Sequence, residues 1–590
     1  MKAYTKNNIK HIQYNLPWDD MPIDISNVFE NEKPAGKHGF MTVQANEFFF
    51  EDGTKMKFWG TNFNSGANFP SHEYSKKVAK RLSKTGINIV RFHQLDAEWS
   101  TPNIFQFSKG KYSDNTRSLD LESLDRLDYL IYCLKQEGIY VYLDLLTYRK
   151  FKSGDEVYCT KELEDAGRPY SCFDRTMIEL QKEFCRQIWT NINPYTGLAY
   201  KDEPAIILCE ITNENDLFHH QRFPITHEPY RSNLEKKYRK WAADKEIDIP
   251  QEKVCFEDMD DNILAFKKEV QESYYKELMD YMRSIGVKIP ITGTNWSTNA
   301  NLLSTQLVTD FVDSHAYWWF GDQRKFQSRL MTGEKSTILD ALTFSRVLDR
   351  PFFVSEWDEP WPNKWRAECP LYIAAIGSFQ GWEGFTIHTY RYGTNTDESV
   401  TGKIGRDLVI GNSYYRGIFD TYNDPAKYGL FYHAALIMRR EDVRQSNQSV
   451  GMKIDNIDKA ETGMMSFSKM PAIQLTSEQH KFGTILPQSS EIRDMTIDYS
   501  EEIVDKSKGE VLSDTGELYR SWEKQYGWVN TPNTKAVYGM VGKLNEIKLN
   551  DFSIKVESEF ATVAVSTLTN DPINNSQNML LTAVGLADTA

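Results

Sequence analysis

The chain is short of several things, and each shortage narrows what it does. It has 590 residues but only seven cysteines, at 133, 159, 172, 185, 209, 255 and 369. No two of them form a C-x-x-C pair, so neither a zinc ribbon nor a dithiol redox motif is written in the sequence. An odd, scattered set fits a reducing compartment, and Cys209 reads as a small apolar core residue. Positive charge is outweighed, with 69 Lys and Arg against 83 Asp and Glu: the formal net charge is −14, and no basic stripe stands out. That argues against nucleic acid or an anionic membrane as partner. No stretch approaches the length of an apolar membrane span. The first residues, MKAYTKNNIKHIQYN, lack the apolar core of an export signal, so the expected location is cytoplasmic unless a signal has been removed. No G-x-G-x-x-G follows a strand-like segment, which leaves a doubly wound open sheet, the alternative to a barrel, without support. Internal repeats and low-complexity tracts are missing as well.

What is present is a globular composition, 40% hydrophobic and 26% charged, with 13% aromatic residues that include 14 Trp and 31 Tyr. Such a length exceeds one ordinary core, so at least two domains are expected. The abundant aromatics are either core material or flat surfaces that stack on sugar rings or bases.

From residue 57 strand-like and helix-like segments alternate. Strands read at 57–63, 88–95, 139–146, 205–211, 288–296, 311–319, 350–359 and 381–390. Helical periodicity reads at 72–87, 121–138, 173–192, 336–348, 366–380 and 426–440, with two further helical stretches at 229–246 and 262–285. Apolar strands alternating with helices imply a parallel sheet covered on both faces. Eight such units over roughly 380 residues imply a (β/α)8 barrel, a fold that spans about 200 to over 400 residues. The expected barrel domain is 57–444, with an insertion around 216–285. Residues 1–56 precede it, and Asp52-Gly53 between strand-like runs suggests a hairpin that caps the barrel bottom. From 445 to 590 the helical patterns stop and short alternating segments separated by turn residues take over, which implies a β-rich, sandwich-like domain. Its last strand-like segment reaches almost to the final residue, so the expectation is a chain truncated there or part of a longer protein.

Barrel chemistry sits at the C-terminal ends of the strands. The fourth strand ends in ILCEITNEN (207–215), where polar groups follow a buried apolar run. Buried carboxylates and amides are costly unless they are bonded or used. The other strand ends supply Asn62 and Asn64, then Arg91, His93 and Asp96, then Asp144 and Tyr148. After these come Asn295 and Trp296, then His315, Tyr317, Trp318 and Trp319, then Glu356, Trp357 and Asp358, and last His388 and Tyr390. Amides and arginine bind hydroxyls, indoles stack on rings, and paired carboxylates work at a bond. Glu214 and Glu356, on the fourth and seventh strands, can face each other across the barrel. A separation of about 5–5.5 Å suits a retaining glycosidase, with one Glu protonated and one ionised.

The Asn-Glu ending the fourth strand, the His-x-Tyr ending the sixth and the lone Glu ending the seventh resemble clan A of the glycoside hydrolases. The likeness is nearest to cellulase-like family 5 and its relatives, over roughly 40–440. The resemblance implies retaining hydrolysis of β-linked sugars, with Glu214 as acid/base and Glu356 as nucleophile. It implies that Asn213 holds the neighbouring hydroxyl, that Arg91 and Tyr317 orient and ionise Glu356, and that His315 supports Glu214. It implies a carbohydrate partner and neither cofactor nor metal. Two departures stand out: the third strand offers no His, whose work His93 would take over, and Trp382 begins the eighth strand instead of ending it, leaving the rim to Tyr390 or His388.

Plainer readings stand beside these. Glu210 shares a face with Glu214 and is expected as a buried partner of Arg91. His219-His220 read as loop residues, because no third ligand sits at zinc spacing. Of Trp318 and Trp319 at most one faces a sugar. Trp296, Trp357, Trp361 and Trp365 are platform candidates that could equally be core. A binding or scaffold protein on a dead barrel is the competing class, and the presence of both Glu residues argues against it. A barrel lyase or aldolase would need a Lys or metal ligands at the strand ends.

Overall fold

The computed structural model describes residues 21–587, apart from 109–112, 220–221, 251, 319–327, 393–417, 488 and 490–492. The N-terminal residues read for an export signal, together with His220 and Trp319, lie outside the described residues. A short antiparallel hairpin comes first, β1 (Met41–Gln44) and β2 (Glu47–Phe50). Gln44 pairs with Glu47, so its turn is Ala45-Asn46, with Ala45 at φ +55°. The hairpin's turn is therefore not at Asp52-Gly53: that pair makes a second turn, with Gly53 N–H donating to Phe50 O at 2.9 Å and Gly53 at φ +85°, and the run that follows is a barrel strand.

Eight strands build the barrel: β3 (Phe58–Asn64), β4 (Ile89–His93), β5 (Tyr140–Leu146), β6 (Ile206–Thr212), β7 (Ile291–Thr292), β8 (Val312–Tyr317), β9 (Phe352–Asp358) and β10 (Gly384–Ile387). Their order is β7-β6-β5-β4-β3-β10-β9-β8, with parallel neighbours throughout. Between β7 and β8 the ring closes without a ladder, through Asp310 N–H to Ile291 O at 2.9 Å and Thr292 Oγ1 to Phe311 O at 2.9 Å. β7 begins later than the sequence suggests because Pro290, just before it, has no N–H to give a ladder.

Helices alternate with the strands: α1 (His72–Lys84), α2 (Leu121–Gln136), α3 (Arg175–Thr190), α4 (Tyr230–Asp244), α5 (Asp261–Ser284), α6 (Ala300–Thr305), α7 (Leu339–Ser345), α8 (Cys369–Gln380), α9 (Pro425–Tyr428) and α10 (Phe431–Arg439). Asp120, Asp174 and Asp260 cap α2, α3 and α5 by accepting first-turn N–H groups. Both α4 and α5 follow β6; α5 packs on α3, with Tyr274 donating to Gln181 at 2.6 Å. None of the described helices is long and apolar enough to cross a membrane.

Strand alternation divides the barrel into two cores. Outward residues such as Trp59, Val90, Leu143 and Val354 pack under the helices. Inward residues at the bottom, Phe58, Ile89, Tyr140, Leu208, Phe311 and Phe353, meet Met41, Phe48 and Phe50 of the hairpin. Phe48 lies edge-on to Phe311 at 5.4 Å. The hairpin thus plugs the bottom of the barrel, and polar inward residues are confined to the top.

The C-terminal region is a separate set of sheets. β11 (Ser449–Lys453), β12 (Lys481–Ile485) and β13 (Met495–Asp498) form a small parallel sheet. β14 (Glu510–Leu512), β15 (Leu518–Ser521), β16 (Tyr526–Asn530), β17 (Thr534–Gly539), β20 (Ala561–Thr567) and β21 (Met579–Val584) form an antiparallel sheet, and β18 (Ile547–Leu549) pairs with β19 (Phe552–Ile554). One face of the large sheet packs under that β18–β19 pair, through Val537, Ile547 and Ile554. The opposite face, including Ala536, Tyr538 and Ala564, joins the barrel's outer core. His433 on α10 bridges the two bodies, 2.8 Å from Ser566 Oγ and 2.9 Å from Thr582 Oγ1. Barrel helices therefore cover the face where a sandwich would place a second large sheet.

Candidate active site

Period-two alternation brings one inward residue from each of several strands to the same height. Arg91 on β4 lies at the centre of the upper barrel and is fully buried. Its Nη1 donates to Asn62 Oδ1 at 3.0 Å and to Glu356 Oε1 at 2.8 Å. Its Nη2 donates to Asp144 at 2.6 Å, Glu210 at 2.7 Å and Asn213 at 3.2 Å. One guanidinium thus faces three carboxyl groups. Burial, only partly offset by Arg91, pushes the carboxyls of Asp144 and Glu210 well above their usual range. Glu356 goes the other way: burial opposes its charge, but His315, His388 and His93 outweigh it and hold its carboxyl well below the usual range.

Those imidazoles come from three different strands. His93 on β4 sits between Asp144 Oδ2, 2.5 Å from its Nδ1, and Glu356 Oε1, 3.2 Å from its Nε2. His315 on β8 is held by Ser355 Oγ at 3.0 Å from Nε2, and its Nδ1 stands 3.0 Å from Glu214 Oε1 and 3.6 Å from Glu356 Oε2. His388, just past β10, approaches Glu356 Oε2 to 3.3 Å through Nδ1, without a well-aligned hydrogen bond, while its Nε2 lies 2.6 Å from the Tyr392 hydroxyl. Tyr317 on β8 donates its hydroxyl to Glu356 Oε2.

Glu214 follows β6 in a left-handed conformation, φ +44°, which costs a non-glycine residue about 1–3 kcal/mol. Its N–H donates to Asn295 Oδ1 at 2.9 Å, and Asn295 Nδ2 donates to Asn213 Oδ1 at 2.7 Å. Arg168 Nη2 clamps Asn213 O at 2.9 Å and Thr147 O at 2.7 Å. This set of amides fixes the bend that aims Glu214 across the barrel. One oxygen each of Glu214 and Glu356 lies within 4.8 Å of the other, with His315 Nδ1 close to both. The side groups of Glu214, His315 and Glu356, and of His93, Glu356 and His388, are also close enough to gather round a cation. Arg91 and Tyr317 already engage the two oxygens of Glu356.

The structure therefore brings Arg91, His93, Asn213, Glu214, His315, Tyr317 and Glu356 to one place. Trp296 borders them: its Nε1 donates to Asp216 at 2.7 Å, and His219 stacks on its ring at 4.2 Å. Three of the expected sugar contacts are corrected, since the structure turns them away from the cleft, although Trp357 lies in β9 and the other two follow β8 and β10. Trp357 is wholly buried, packed on Trp59 at 5.5 Å, because Glu356 takes the inward position and its neighbour must point outward. Trp318 points outward from Tyr317 in the same way, enters the outer core and donates Nε1 to Arg329 O at 3.0 Å. Tyr390 lies in the wall beside α1, accepting from Arg81 Nη1 at 2.6 Å. Trp361 is buried, and Trp365 packs on Phe560 of the C-terminal sheets. Of the two residues expected for the eighth-strand rim, His388 is the one beside Glu356.

One contributor escapes a reading of strand ends. Ser355 orients His315 from β9, and only its place one residue before Glu356 hints at it. Tyr148 stands edge-on to Trp99 at 4.3 Å, with its hydroxyl pushed up to about 12 by burial and by both Glu214 and Glu356. Read at the end of the third strand, it also lies edge-on to His93 at 6.2 Å.

No protein-family model matches the chain, and no curated protein does. Solved structures do. An endo-β-1,4-mannanase from Thermotoga petrophila is 13% identical, with 91% of this chain and 99% of that one covered and a TM-score of 0.44. A glycoside hydrolase family 5 mannosidase from Rhizomucor miehei is 12% identical over 68% of this chain and 97% of that one, with a TM-score of 0.43. A β-glucanase from Saccharophagus degradans is 14% identical over 72% and 98%, with a TM-score of 0.38. At such identities and scores, any choice of reaction or sugar rests on the geometry of the site.

Proposed function

We propose that the protein is a retaining β-glycoside hydrolase of the clan A, family 5-like kind, acting on β-linked oligo- or polysaccharide. The observation that carries this reading is the approach of Glu214 and Glu356 to within 4.8 Å between carboxylate oxygens, at the C-terminal ends of β6 and β9. Carboxyls about 5–5.5 Å apart leave no room for a water between them, so one must attack the sugar itself. Glu356 is the group held ionised, with Arg91 and Tyr317 fixing its two oxygens.

In the first step a Glu356 oxygen forms a bond to the anomeric carbon as the bond to the leaving oxygen breaks. Glu214 gives its proton to that oxygen. In the second step Glu214 takes a proton from water, whose oxygen displaces Glu356 and restores the original anomeric configuration. Without substrate, burial raises the proton affinity of Glu214, but the His315 hydrogen bond outweighs it and leaves the carboxyl below its usual range. His315 Nδ1, 3.0 Å from Glu214 Oε1, is therefore the group placed to share the catalytic proton.

The test is hydrolysis of a panel of aryl β-glycosides, β-glucans, β-mannans and β-galactans by wild type, Glu214→Ala and Glu356→Ala. Both variants should lose turnover, and azide should restore Glu356→Ala with an α-glycosyl azide as product. Full activity in Glu356→Ala would refute the assignment.

A further inference from the structure

Arg222 stands in the loop after β6, and its side chain is 55% exposed. Its Nη1 comes to 3.9 Å from Glu214 Oε2. Oε1 of the same carboxylate is the oxygen taken by His315. Oε2 is then the oxygen free to meet the leaving group, and Arg222 borders the space where that group lies. The guanidinium also lies 5.1 Å from the ring of Trp296 and 5.2 Å from that of Phe223. Beyond the 3.9 Å approach to Glu214, it makes no hydrogen bond or ion pair with any described residue. Five donors in a planar fork are thus presented to the cleft unspent. Trp296 is engaged by His219 and Asp216, so this side of the cleft offers a cation where an open sugar platform was expected. The whole chain carries −14, which repels anions, and a local cation is what would draw one in.

We propose that Arg222 forms a leaving-group subsite for a sugar that carries an anionic oxygen group, a carboxylate or a sulfate ester. The proposal rests on the glycosidase reading, because it defines the leaving-group side by the free oxygen of Glu214. Planar guanidinium and carboxylate or sulfate match as bidentate partners. Such a ligand would also draw the guanidinium from Glu214. The groups that face or feel Glu214 are His315, Glu356, Arg222, Tyr148, Tyr317 and His219. Arg222 is one of those that depress its proton affinity, so engaging Arg222 elsewhere favours the acid form that the first step needs.

Two measurements test this. In the first, D-glucuronate, D-glucose 6-sulfate and D-glucose are titrated against wild type, Arg222→Gln and Arg222→Lys, followed by tryptophan fluorescence. Wild type should bind one or both anionic sugars roughly tenfold more tightly than glucose, a typical gain for a charge-assisted pair. Arg222→Gln should lose that preference and Arg222→Lys keep part of it. Whichever anion is preferred tells carboxylate from sulfate. Equal binding of all three sugars by wild type, or an unchanged preference in Arg222→Gln, would overturn the proposal. In the second, kcat/KM is compared for disaccharides whose leaving sugar is glucuronate or glucose. The acid-to-neutral ratio should fall by about the same factor in Arg222→Gln; an unchanged ratio would overturn it. If wild type cleaves nothing, the glycosidase reading fails, while the binding titration still decides whether Arg222 selects anions.

Discussion

Arg91 donates to Glu356 Oε1 at 2.8 Å from the centre of a fully buried network. That one bond joins the stability of the upper barrel to the charge of the carboxylate proposed to attack. Replacing Arg91 by Met leaves Asp144, Glu210 and Glu356 facing one another without their cation. Breaking a buried pair from one side costs about 3–5 kcal/mol. Arg91→Met should therefore lower the melting temperature sharply as well as abolish turnover. Arg91→Lys should rescue stability in part but not activity, since a point charge cannot serve five acceptors. Calorimetry and kcat/KM on the two variants check this.

Tyr317 stabilises the ionised form of Glu356 by donating to it. The acid limb of the kcat/KM profile reports the nucleophile of the free enzyme. Glu356 is held low, so that limb should lie at acid pH. Tyr317→Phe removes a donor to the charged form, so the limb should move to higher pH. A pH profile of both enzymes gives the direction.

Asn295 should matter for rate more than for affinity. Its Oδ1 accepts the N–H of Glu214, which fixes the left-handed bend of the proposed acid/base residue. Asn295→Ala strands that N–H at a cost of about 1–3 kcal/mol. It should lower kcat well beyond any change in KM, while an effect confined to KM would contradict the role.

Glu359 is fully buried, and neither carboxyl oxygen has a hydrogen-bond partner among the described residues. Burial, then the charges of Glu368 and Asp358, push it well above its usual range. A carboxyl raised in the folded state contributes stability that is whole below its unfolded pKa of about 4.3 and is lost as pH rises toward the folded value. Glu359→Gln should remove that loss. Its melting temperature relative to wild type should therefore climb as pH rises above about 4.5; a difference that stays flat or falls would contradict the sign.

Trp357 separates what the sequence makes legible from what it hides. Strand periodicity and helix caps are local, so the eight barrel units can be read with ends a few residues out, and the rim residues with them. Facing is not local. Glu356 and Trp357 are neighbours that point to opposite sides of β9, and only the bulge between β8 and β9 settles which one enters the barrel. The same ambiguity hides the outward turn of Trp318 and the retreat of Tyr390 into the wall beside α1. Glu210 is legible as a partner of Arg91 because strand alternation points it into the barrel, whereas the approach of Asn213 to the same guanidinium and the roles of Ser355 and Asn295 depend on contacts between distant strands. The β1–β2 turn is misread from sequence because Asp-Gly is the stronger turn signal and Ala-Asn a weak one. If Trp357 is core, Trp357→Ala should cost about 3–5 kcal/mol of stability. KM should change little at a temperature where the variant stays folded.

Covalent trapping tests the central claim most directly. A 2-deoxy-2-fluoro β-glycosyl fluoride, with the sugar chosen from the hydrolysis panel, is incubated with the enzyme and the adduct is located by peptide mass mapping. The label should sit on Glu356, and the inactivated enzyme should recover as the adduct slowly hydrolyses. A label on any other residue would contradict Glu356 as nucleophile, and so would inverted configuration in the first-formed product of a normal substrate.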